Sequence, residues 1–173
     1  MQVELTRGLF SEIDSIDSDL NSLSWQAMKM RDKFYAGRSV NLGNKKIKTI
    51  LMHRVILSRM LERDLTKGEE VDHKDRNPLN NKRENLRLAN GTQNNFNKPS
   101  PRNITGFKGV SFDKNKKTKP YASHIGFEGK RLYLGYFDTP EEAYDAYCTK
   151  LKELAGEFAN FDIELKKVPD SQP

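Results

Sequence analysis

One stretch of the chain, residues 71–97, concentrates side chains that can bind a hard cation and move a proton. Asp72 stands next to His73, and several carboxamides follow, among them those at positions 77, 80, 81, 85, 94 and 95. Carboxylate and amide oxygens are the ligands that hard divalent cations prefer, and a histidine beside them can accept a proton from water. The composition of this stretch therefore predicts a centre for metal-assisted hydrolysis.

The elements that would position these groups are short. The local pattern predicts a strand over 71–73, a loop over 77–81, a second strand over 84–88 and a helix over 92–96. A helix that returns across a hairpin places its inner face against the first strand. This order would bring Asp72, His73 and Asn94 together.

The charge of the chain is distributed unevenly. The 173 residues carry a net charge of +6, and residues 25–67 alone hold eleven basic and three acidic side chains, whereas both ends are acidic. A basic band between acidic ends favours a polyanionic partner such as DNA, although ordinary solubility would explain the net charge by itself. Arg38, Lys45 and Lys46 are candidates for contacts with phosphate, and a solvated hairpin is the alternative.

Cysteine content and hydropathy bear on the compartment. Cys148 is the single cysteine, so the sequence has neither a disulfide framework nor a Cys-x-x-Cys zinc site. The first residues do not resemble a signal peptide, and the longest apolar run is far shorter than a membrane span. We therefore expect a cytoplasmic protein with no membrane partner.

A hydrophobic content of 35% predicts small α+β modules rather than one large core. Residues 1–52 have a β-rich pattern, and residues 98–104, with two prolines, are the best candidate for a linker. Three strands are expected over 106–112, 121–127 and 131–137. A helix that starts at Thr139 would cover one face of their sheet and leave the other face free, and residues 166–173 are expected to form a flexible tail.

Residues 53–97 resemble the HNH endonuclease family, especially the homing type of phages and introns. The matching residues are His53–Ile56, Val71–Asp75, Asn80 and Asn81, Asn85–Arg87, and Asn94 and Asn95, with Asn85 twelve and Asn94 twenty-one positions after His73. Residues 1–52 are similar to the segment that often precedes such nucleases. The resemblance implies a ββα-metal, or His-Me finger, nuclease core.

The resemblance also implies a role for each matching residue. Asp72 and Asn94 would bind the catalytic Mg²⁺ or Mn²⁺, His73 would be the general base, and Asn85 would hold the His73 ring through a hydrogen bond. His53 stays open between a packed structural residue and a direct role. The remaining expectations concern Asn77, Asn80 and Asn81, which would build turns, and Arg54 and Arg87, which would clamp phosphate or pair with Asp75 or Glu84.

Residues 105–165 resemble the plant Apetala/ethylene-response-factor DNA-binding domain. The matching residues are Lys108–Val110, Arg131–Thr139, Glu141–Tyr147 and Gly156–Phe161. The resemblance implies that the open sheet face contacts double-stranded DNA, with Lys108, Ser111, Lys117, Tyr121, His124, Arg131 and Tyr133 as candidates. Ser111 and Gly126 stand where the plant domains usually have Arg, so the plant target sequence is not expected. Packing is preferred for Phe107, Phe112, Tyr136 and Phe137.

These patterns together predict a site-preferring, homing-type HNH endonuclease that nicks double-stranded DNA in the host cell of a phage or mobile element. One active site per chain implies nicking by a monomer, and a dimer on DNA stays open. Two alternatives remain at this point: a sequence-specific DNA-binding regulator with an inactive nuclease module, and an RNA-binding protein.

Overall fold

A computed structural model describes residues 1–99 and 103–161. The middle of the predicted linker and the predicted tail over 166–173 lie outside these ranges. The elements are β1 (Gln2–Glu4), β2 (Phe10–Glu12), β3 (Gln26–Met30), β4 (Lys33–Asn41), β5 (Ile47–Leu51), α1 (Met52–Leu61), β6 (Glu70–His73), β7 (Leu86–Ala89), α2 (Gly91–Asn97), β8 (Val110–Phe112), β9 (Tyr121–Phe127), β10 (Lys130–Phe137) and α3 (Pro140–Ala155).

The architecture mixes helices with small antiparallel sheets, in agreement with the predicted α+β class. The strands form the pairs β1–β2 and β6–β7 and two three-stranded sheets, in the orders β3–β4–β5 and β10–β9–β8. Contacts divide the chain into two compact units, Met1–Gly91 and the part that begins at Thr92. No helix within the described ranges is long and apolar enough to cross a membrane.

The core of the first unit joins the N-terminal segment to the part of the chain that carries Asp72 and His73. Val3, Trp25, Ala36, Ile56 and Leu86 belong to one buried cluster. β3 and β4 each contribute an alanine to this cluster. Ala27 and Ala36 are cross-strand partners, so both side chains point to the same face of the sheet, which is the buried one. Residues 1–52 therefore support the later hairpin directly.

The segment Ser15–Ser22 differs from its sequence pattern. Ile13, Ile16 and Leu20 lie at the spacing of an α-helix, but the segment is a 3-10 helix and Ile16 is 69% exposed. Asp17 is buried instead, and it accepts hydrogen bonds from Arg59 at 3.0 Å and from Arg83 at 2.8 Å.

The buried carboxylate of Asp17 is kept charged by these two arginines. Burial alone would raise the pKa of Asp17, but the hydrogen bonds from Arg83 and Arg59 outweigh it and hold the pKa below its ordinary value. Arg59 lies on α1 and Arg83 in the 3-10 turn before β7. Asp17 therefore fixes the N-terminal segment to both elements.

Residues 70–97 form the strand, loop, strand and helix that the sequence predicts. β6 pairs antiparallel with β7, with Asp72 opposite Arg87 and His73 opposite Leu86, and α2 follows. The second strand starts at Leu86, later than predicted, because Arg83–Asn85 form a 3-10 turn.

The second unit contains the three-stranded sheet and α3. The predicted helix start is confirmed: the Thr139 side chain accepts a hydrogen bond from the Glu142 backbone, the Glu142 side chain accepts from the Thr139 backbone, and Pro140 is the first helical residue. Gly109 precedes β8 at φ +76°, and a Cβ at this position would lie 2.1 Å from Cδ2 of Tyr147 on α3. Only glycine therefore allows the backbone to pass this close to the helix.

Candidate active site and open sheet face

His73 ends β6, and its buried ring is held by an amide from the following loop. The distance from His73 Nε2 to Asn81 Oδ1 is 3.1 Å. Asn81 Nδ2 donates to Ser11 Oγ at 2.7 Å, and Ser11 Oγ donates to the Leu79 carbonyl at 3.1 Å. The Asn81 amide oxygen can only accept a hydrogen bond, so His73 Nε2 must carry the proton that it donates. Nδ1 is then the basic nitrogen of the neutral imidazole.

Burial keeps the His73 ring neutral. It lowers the pKa of His73 below its ordinary value, and the hydrogen bond with Asn81 and the negative charges of Asp75 and Asp72 oppose this effect only in part. A neutral imidazole with a fixed tautomer can accept a proton at physiological pH. His73 therefore has the properties of a general base.

The prediction that Asn85 holds the His73 ring is wrong. The Asn85 amide oxygen accepts from the Asp75 backbone at 3.0 Å, and its nitrogen donates to Asp75 Oδ1 at 2.9 Å and to the Asn80 carbonyl at 2.7 Å. The Asn85 side chain thus closes the loop after His73 and is engaged away from the ring.

Asn81 holds the ring, although the sequence assigned it to turn building. Its backbone N–H donates to the Glu12 carbonyl at 2.8 Å, and the neighbouring Asn80 forms a parallel bridge with Glu12. Strand β2 therefore decides which of two adjacent asparagines points inward. No local signal in the sequence separates Asn80 from Asn81, so only this long-range contact could have identified the residue.

His53 and Tyr35 complete a cluster of rings around His73. The ring centroids of His53 and His73 are 5.2 Å apart, and Tyr35 lies 5.6 Å from His53 and 6.4 Å from His73. Within the described residues, the buried Nδ1 of His53 has no hydrogen-bond partner. Burial, then the positive charges that His73 and Arg54 can carry, lower the pKa of His53 to about 3. His53 therefore packs as a neutral ring beside His73.

Asp72 precedes His73 and is buried against an arginine. Arg87 donates to Asp72 Oδ2 from both Nε and Nη2, each at 2.7 Å. Arg87 was expected to clamp phosphate or to pair with Asp75 or Glu84. Its position opposite Asp72 in the register of β6 and β7 makes Asp72 its partner instead.

The donor set fits a hard divalent ion of the kind that HNH nucleases generally use. Within the part of the chain that the structure describes, no three His, Cys, Asp or Glu side chains form a group that could hold a metal. Asp72 supplies a carboxylate, and Asn94, in the middle of α2, can supply an amide oxygen. Mg²⁺ suits such a site, because it keeps several waters beside one or two protein oxygens. The pairing of Asn94 with Asp72 remains a prediction.

The predicted phosphate contacts of the first unit have different surroundings. Lys45 and Lys46 are exposed in the turn between β4 and β5. Arg38 is half-buried, and strand alternation puts it on the opposite face of β4 from Tyr35. Arg54 donates from Nη1 to the Glu69 carbonyl at 3.2 Å, so it supports the chain before β6.

Strand register divides the candidates of the second unit between two faces. Ser111 pairs with Ala122, Tyr133 with His124 and Arg131 with Gly126. These positions alternate with Val110, Ser123 and Ile125, which are buried. Ser111, His124, Arg131 and Tyr133 therefore lie on the sheet face opposite the core. We name this surface the open face.

Two predicted contacts are not part of the open face. Tyr121 lies on the core side of β9, where it packs against the cluster of Phe107, Val110 and Ala143, because odd and even residues of a strand face opposite ways. Lys108 Nζ donates to the carbonyls of Asn95, Phe96 and Lys98 at 2.6–2.9 Å. All three donors of its ammonium group are engaged at the end of α2, so phosphate is not its partner.

Sequence reasoning missed two members of the open face. Tyr136, which was expected to pack inside, pairs with Ala122 and so shares the face of Ser111 and Tyr133. The Lys116 ammonium lies 3.6 Å from the centroid of the Tyr136 ring. The predicted Lys117 is exposed in the same turn as Lys116. Arg131 donates to His124 Nε2 at 2.7 Å, and since this nitrogen must then be unprotonated, the His124 ring is neutral.

Comparison with known proteins identifies a family for the part of the chain that carries Asp72 and His73. The family profile described as HNH endonuclease matches residues 51–96. An uncharacterized HNH endonuclease, L560, of Acanthamoeba polyphaga mimivirus is 35% identical over 127 residues, which cover 73% of this chain and 65% of that protein. Protein 3.8 of Escherichia phage T7 is 37% identical over 98 residues, which cover 56% of this chain and 78% of that protein.

The chain thus spans about two thirds of the mimivirus relative and most of the phage relative. No solved structure matches the chain. The family profile covers α1, β6, β7 and nearly all of α2, which are the elements that carry His53, Asp72, His73 and Asn94. Residues 51–96 of the chain are therefore a domain of the HNH endonuclease family.

Proposed function

We propose that this protein is a metal-dependent endonuclease of the homing type that nicks one strand of double-stranded DNA at preferred sites. The observation that carries the proposal is the chain of hydrogen bonds from Ser11 through Asn81 to His73, which assigns the His73 proton to Nε2. A buried neutral histidine with a fixed tautomer beside an aspartate is the arrangement that a water-activating base requires.

In the proposed mechanism, His73 Nδ1 accepts a proton from the attacking water while Asn81 keeps the ring in place through Nε2. The imidazolium that forms is stabilised by the Asn81 oxygen and by the negative charges of Asp75 and Asp72. His53 and Tyr35 pack around the ring and limit its rotation.

Asp72 and Asn94 would hold the divalent ion, Mg²⁺ or Mn²⁺, and Arg87 would orient Asp72 through Oδ2. When bound, the ion would stabilise the negative charge that develops on the phosphate and on the leaving oxygen. One such centre per chain supports nicking by a monomer.

The second unit is proposed to be the module that holds the duplex. Its open face combines cationic and aromatic side chains, with Lys116, Arg131, Tyr133 and Tyr136 as the main groups. Cationic groups suit phosphate, and a sheet of this kind can contact base edges in the major groove. We propose on this basis that the unit is a DNA-binding domain of the Apetala/ethylene-response-factor type.

A plasmid assay tests the proposal. Supercoiled plasmid is incubated with the protein and Mg²⁺ or Mn²⁺, and conversion to open circles is followed on a gel. We expect nicking by the wild type, none by His73→Ala and none when EDTA removes the metal.

The same assay separates the alternatives. DNA binding without nicking by the wild type, with either metal, would favour a regulator with an inactive nuclease module. Preferential binding of single-stranded RNA over duplex DNA in a competition experiment would favour an RNA-binding protein. The viral origin of both relatives supports action in the host cell of a virus or phage.

A further inference from the structure

The turn between β4 and β5 presents two large apolar side chains to solvent. Leu42 is 61% exposed and Ile47 is 71% exposed, and they flank the turn. Single exposed apolar residues are common on protein surfaces and require no explanation. Here two of them stand at one tip, which makes the tip a candidate for contact with a partner.

The tip has a defined backbone. The Leu42 N–H donates to the Lys46 carbonyl at 2.8 Å, the Lys46 N–H donates to the Gly43 carbonyl at 2.9 Å, and the Asn41 side chain accepts from the Gly43 N–H at 2.9 Å. Gly43 is in the left-handed region at φ +81°, which glycine adopts without strain. A hydrogen-bonded turn therefore holds the two apolar side chains in place.

The surroundings of the tip are cationic. Lys45, Lys46 and Lys48 are exposed at or beside it. Residues 38–48, which include the turn, contain four basic residues and no acidic one. A polyanion is the partner that suits such a segment, and the apolar tip indicates that this partner also offers an apolar surface.

Strand register connects the tip to the catalytic ring. Tyr35 contacts His73, and Tyr35, Gly37, Ser39 and Asn41 share one face of β4, because they are two residues apart. Ile47 is the cross-strand partner of Asn41 and lies on the same face. A duplex with its scissile phosphate at His73 can therefore extend along this face to the tip.

The distance follows from strand geometry. Asn41 is six residues beyond Tyr35 in β4. At about 3.3 Å per residue, Asn41, where the tip begins, lies about 20 Å along β4 from Tyr35, whose ring contacts His73. Because phosphates of one strand are about 3.4 Å apart along the helix axis, this separation corresponds to about six base pairs.

We infer that the β4–β5 turn is a minor-groove wedge, in which Leu42 and Ile47 press against a base step about six base pairs from the nick while Lys45 and Lys46 contact the flanking phosphates. Apolar wedges of this kind partly unstack a base step and bend the duplex. Pyrimidine–purine steps unstack most easily, so the wedge creates a preference for them at this distance. The inference rests on the proposed nicking activity.

The test uses a plasmid library with a randomised cassette of about 40 base pairs, long enough to cover several helical turns on either side of a nick. The library is nicked in the presence of Mg²⁺ and sequenced at the nicks, and the frequency of TA, CA and TG steps at each position is compared with that in the uncut library. The wild type is expected to enrich these steps about tenfold near six base pairs on one side of the nick. Leu42→Ser/Ile47→Ser should remove this enrichment and leave preferences beside the nick unchanged.

Two control variants separate the wedge from general effects. Ile16→Ser removes an equally exposed apolar side chain from the acidic 3-10 segment, and it should keep the wild-type profile. Lys45→Ala/Lys46→Ala should lower nicking about equally at all sequences and reduce its dependence on salt. Thermal melting should be unchanged in all three variants, because the substituted side chains are exposed.

Retention of the wild-type step profile by Leu42→Ser/Ile47→Ser would overturn the wedge. Absence of nicks with the wild type would instead contradict the proposed function, so the two failures are distinguishable. A lipid surface is the other polyanion with an apolar interior. Co-sedimentation of the wild type, but not of Leu42→Ser/Ile47→Ser, with phosphatidylglycerol vesicles, together with an unchanged step profile, would assign the tip to membranes and overturn the inference.

Discussion

The two units of this protein use polar side chains in opposite ways. Around β6 and β7, His53, Asp72, His73 and Asn81 are buried, and each ring or amide is held by packing or a hydrogen bond. On the open face of β8, β9 and β10, Lys116 and Arg131 are exposed, and so is Tyr133.

The difference teaches which kind of function each surface can perform. A base needs one tautomer and a dry environment, because both determine its pKa and its aim. A surface that binds a large polyanion needs exposed groups, because it must exchange water and counterions for phosphate. Substitutions in the first unit should therefore change the rate of the reaction, and those on the open face should change affinity.

The largest effect is expected from His73→Ala. Loss of the proposed general base should lower the rate of plasmid nicking by about 10²–10⁴-fold while duplex binding stays near the wild-type level. Single-turnover nicking and gel-shift binding measure the two quantities. A rate within threefold of wild type, our chosen threshold of about 0.65 kcal/mol, would mean that another group activates the water.

Asn81→Ala should have the next largest effect. It removes the partner of His73 Nε2 and also leaves Ser11 without its amide donor, so kcat should fall by about 10–100-fold while KM stays similar. Asn80→Ala is the matched control, because the Asn80 amide bonds to Asp75 and not to His73. Equal losses of kcat in the two variants would show that loop stability, rather than the tautomer of His73, controls the rate.

His53 makes the stability of the first unit dependent on pH. Unfolded His53 titrates near 6.5, whereas burial lowers the pKa of folded His53 to about 3. Between these values the unfolded chain binds more protons, so stability is present above pH 6.5 and is lost as the pH falls toward 3. From pH 7.5 to pH 5 the free energy of unfolding should drop by about 2 kcal/mol on account of this residue.

Urea unfolding at pH 7.5 and pH 5 measures this drop, with His53→Phe as the comparison, because it keeps a ring and removes the titration. The variant should lose less stability on acidification than the wild type. Equal losses in both proteins would contradict the assigned protonation of His53.

The smallest effect is expected on the open face. Lys116→Ala removes one cation from beside Tyr136, so duplex affinity should fall a few-fold and the slope of log affinity against log salt should decrease by about one. Nicking at saturating protein should not change. Fluorescence anisotropy across a salt series provides the slope, and an unchanged slope would remove Lys116 from the DNA-contacting surface.

Local patterns in the sequence predicted the elements better than the contacts between them. The capping box at Thr139 depends on residues three positions apart, and it formed as expected. The strand, loop, strand and helix over residues 70–97 also follow from local turn and strand signals. The interval between His73 and Asn94 identified a family, whose profile matches residues 51–96.

Contacts between distant segments account for the errors. Asn81 rather than Asn85 holds His73 because β2 orients the loop, and Glu12 lies 69 positions before Asn81. Tyr121 was assigned to the wrong face because a strand's register decides which residues face the core. Lys108 donates hydrogen bonds to carbonyls at the end of α2, and the residues around Lys108 in the sequence do not predict this contact.

The dependence of His73 on Ser11 and of α1 on Asp17 has a consequence for engineering chimaeric nucleases. A fragment that begins at residue 53 contains every residue of the family match except the first two, yet it lacks the hydroxyl that orients Asn81 and the carboxylate that neutralises Arg59 and Arg83. Transplanting this cleavage module onto another DNA-binding domain therefore requires the graft to start at the first strand. A fusion junction between β5 and α1 would transfer the motif without its support.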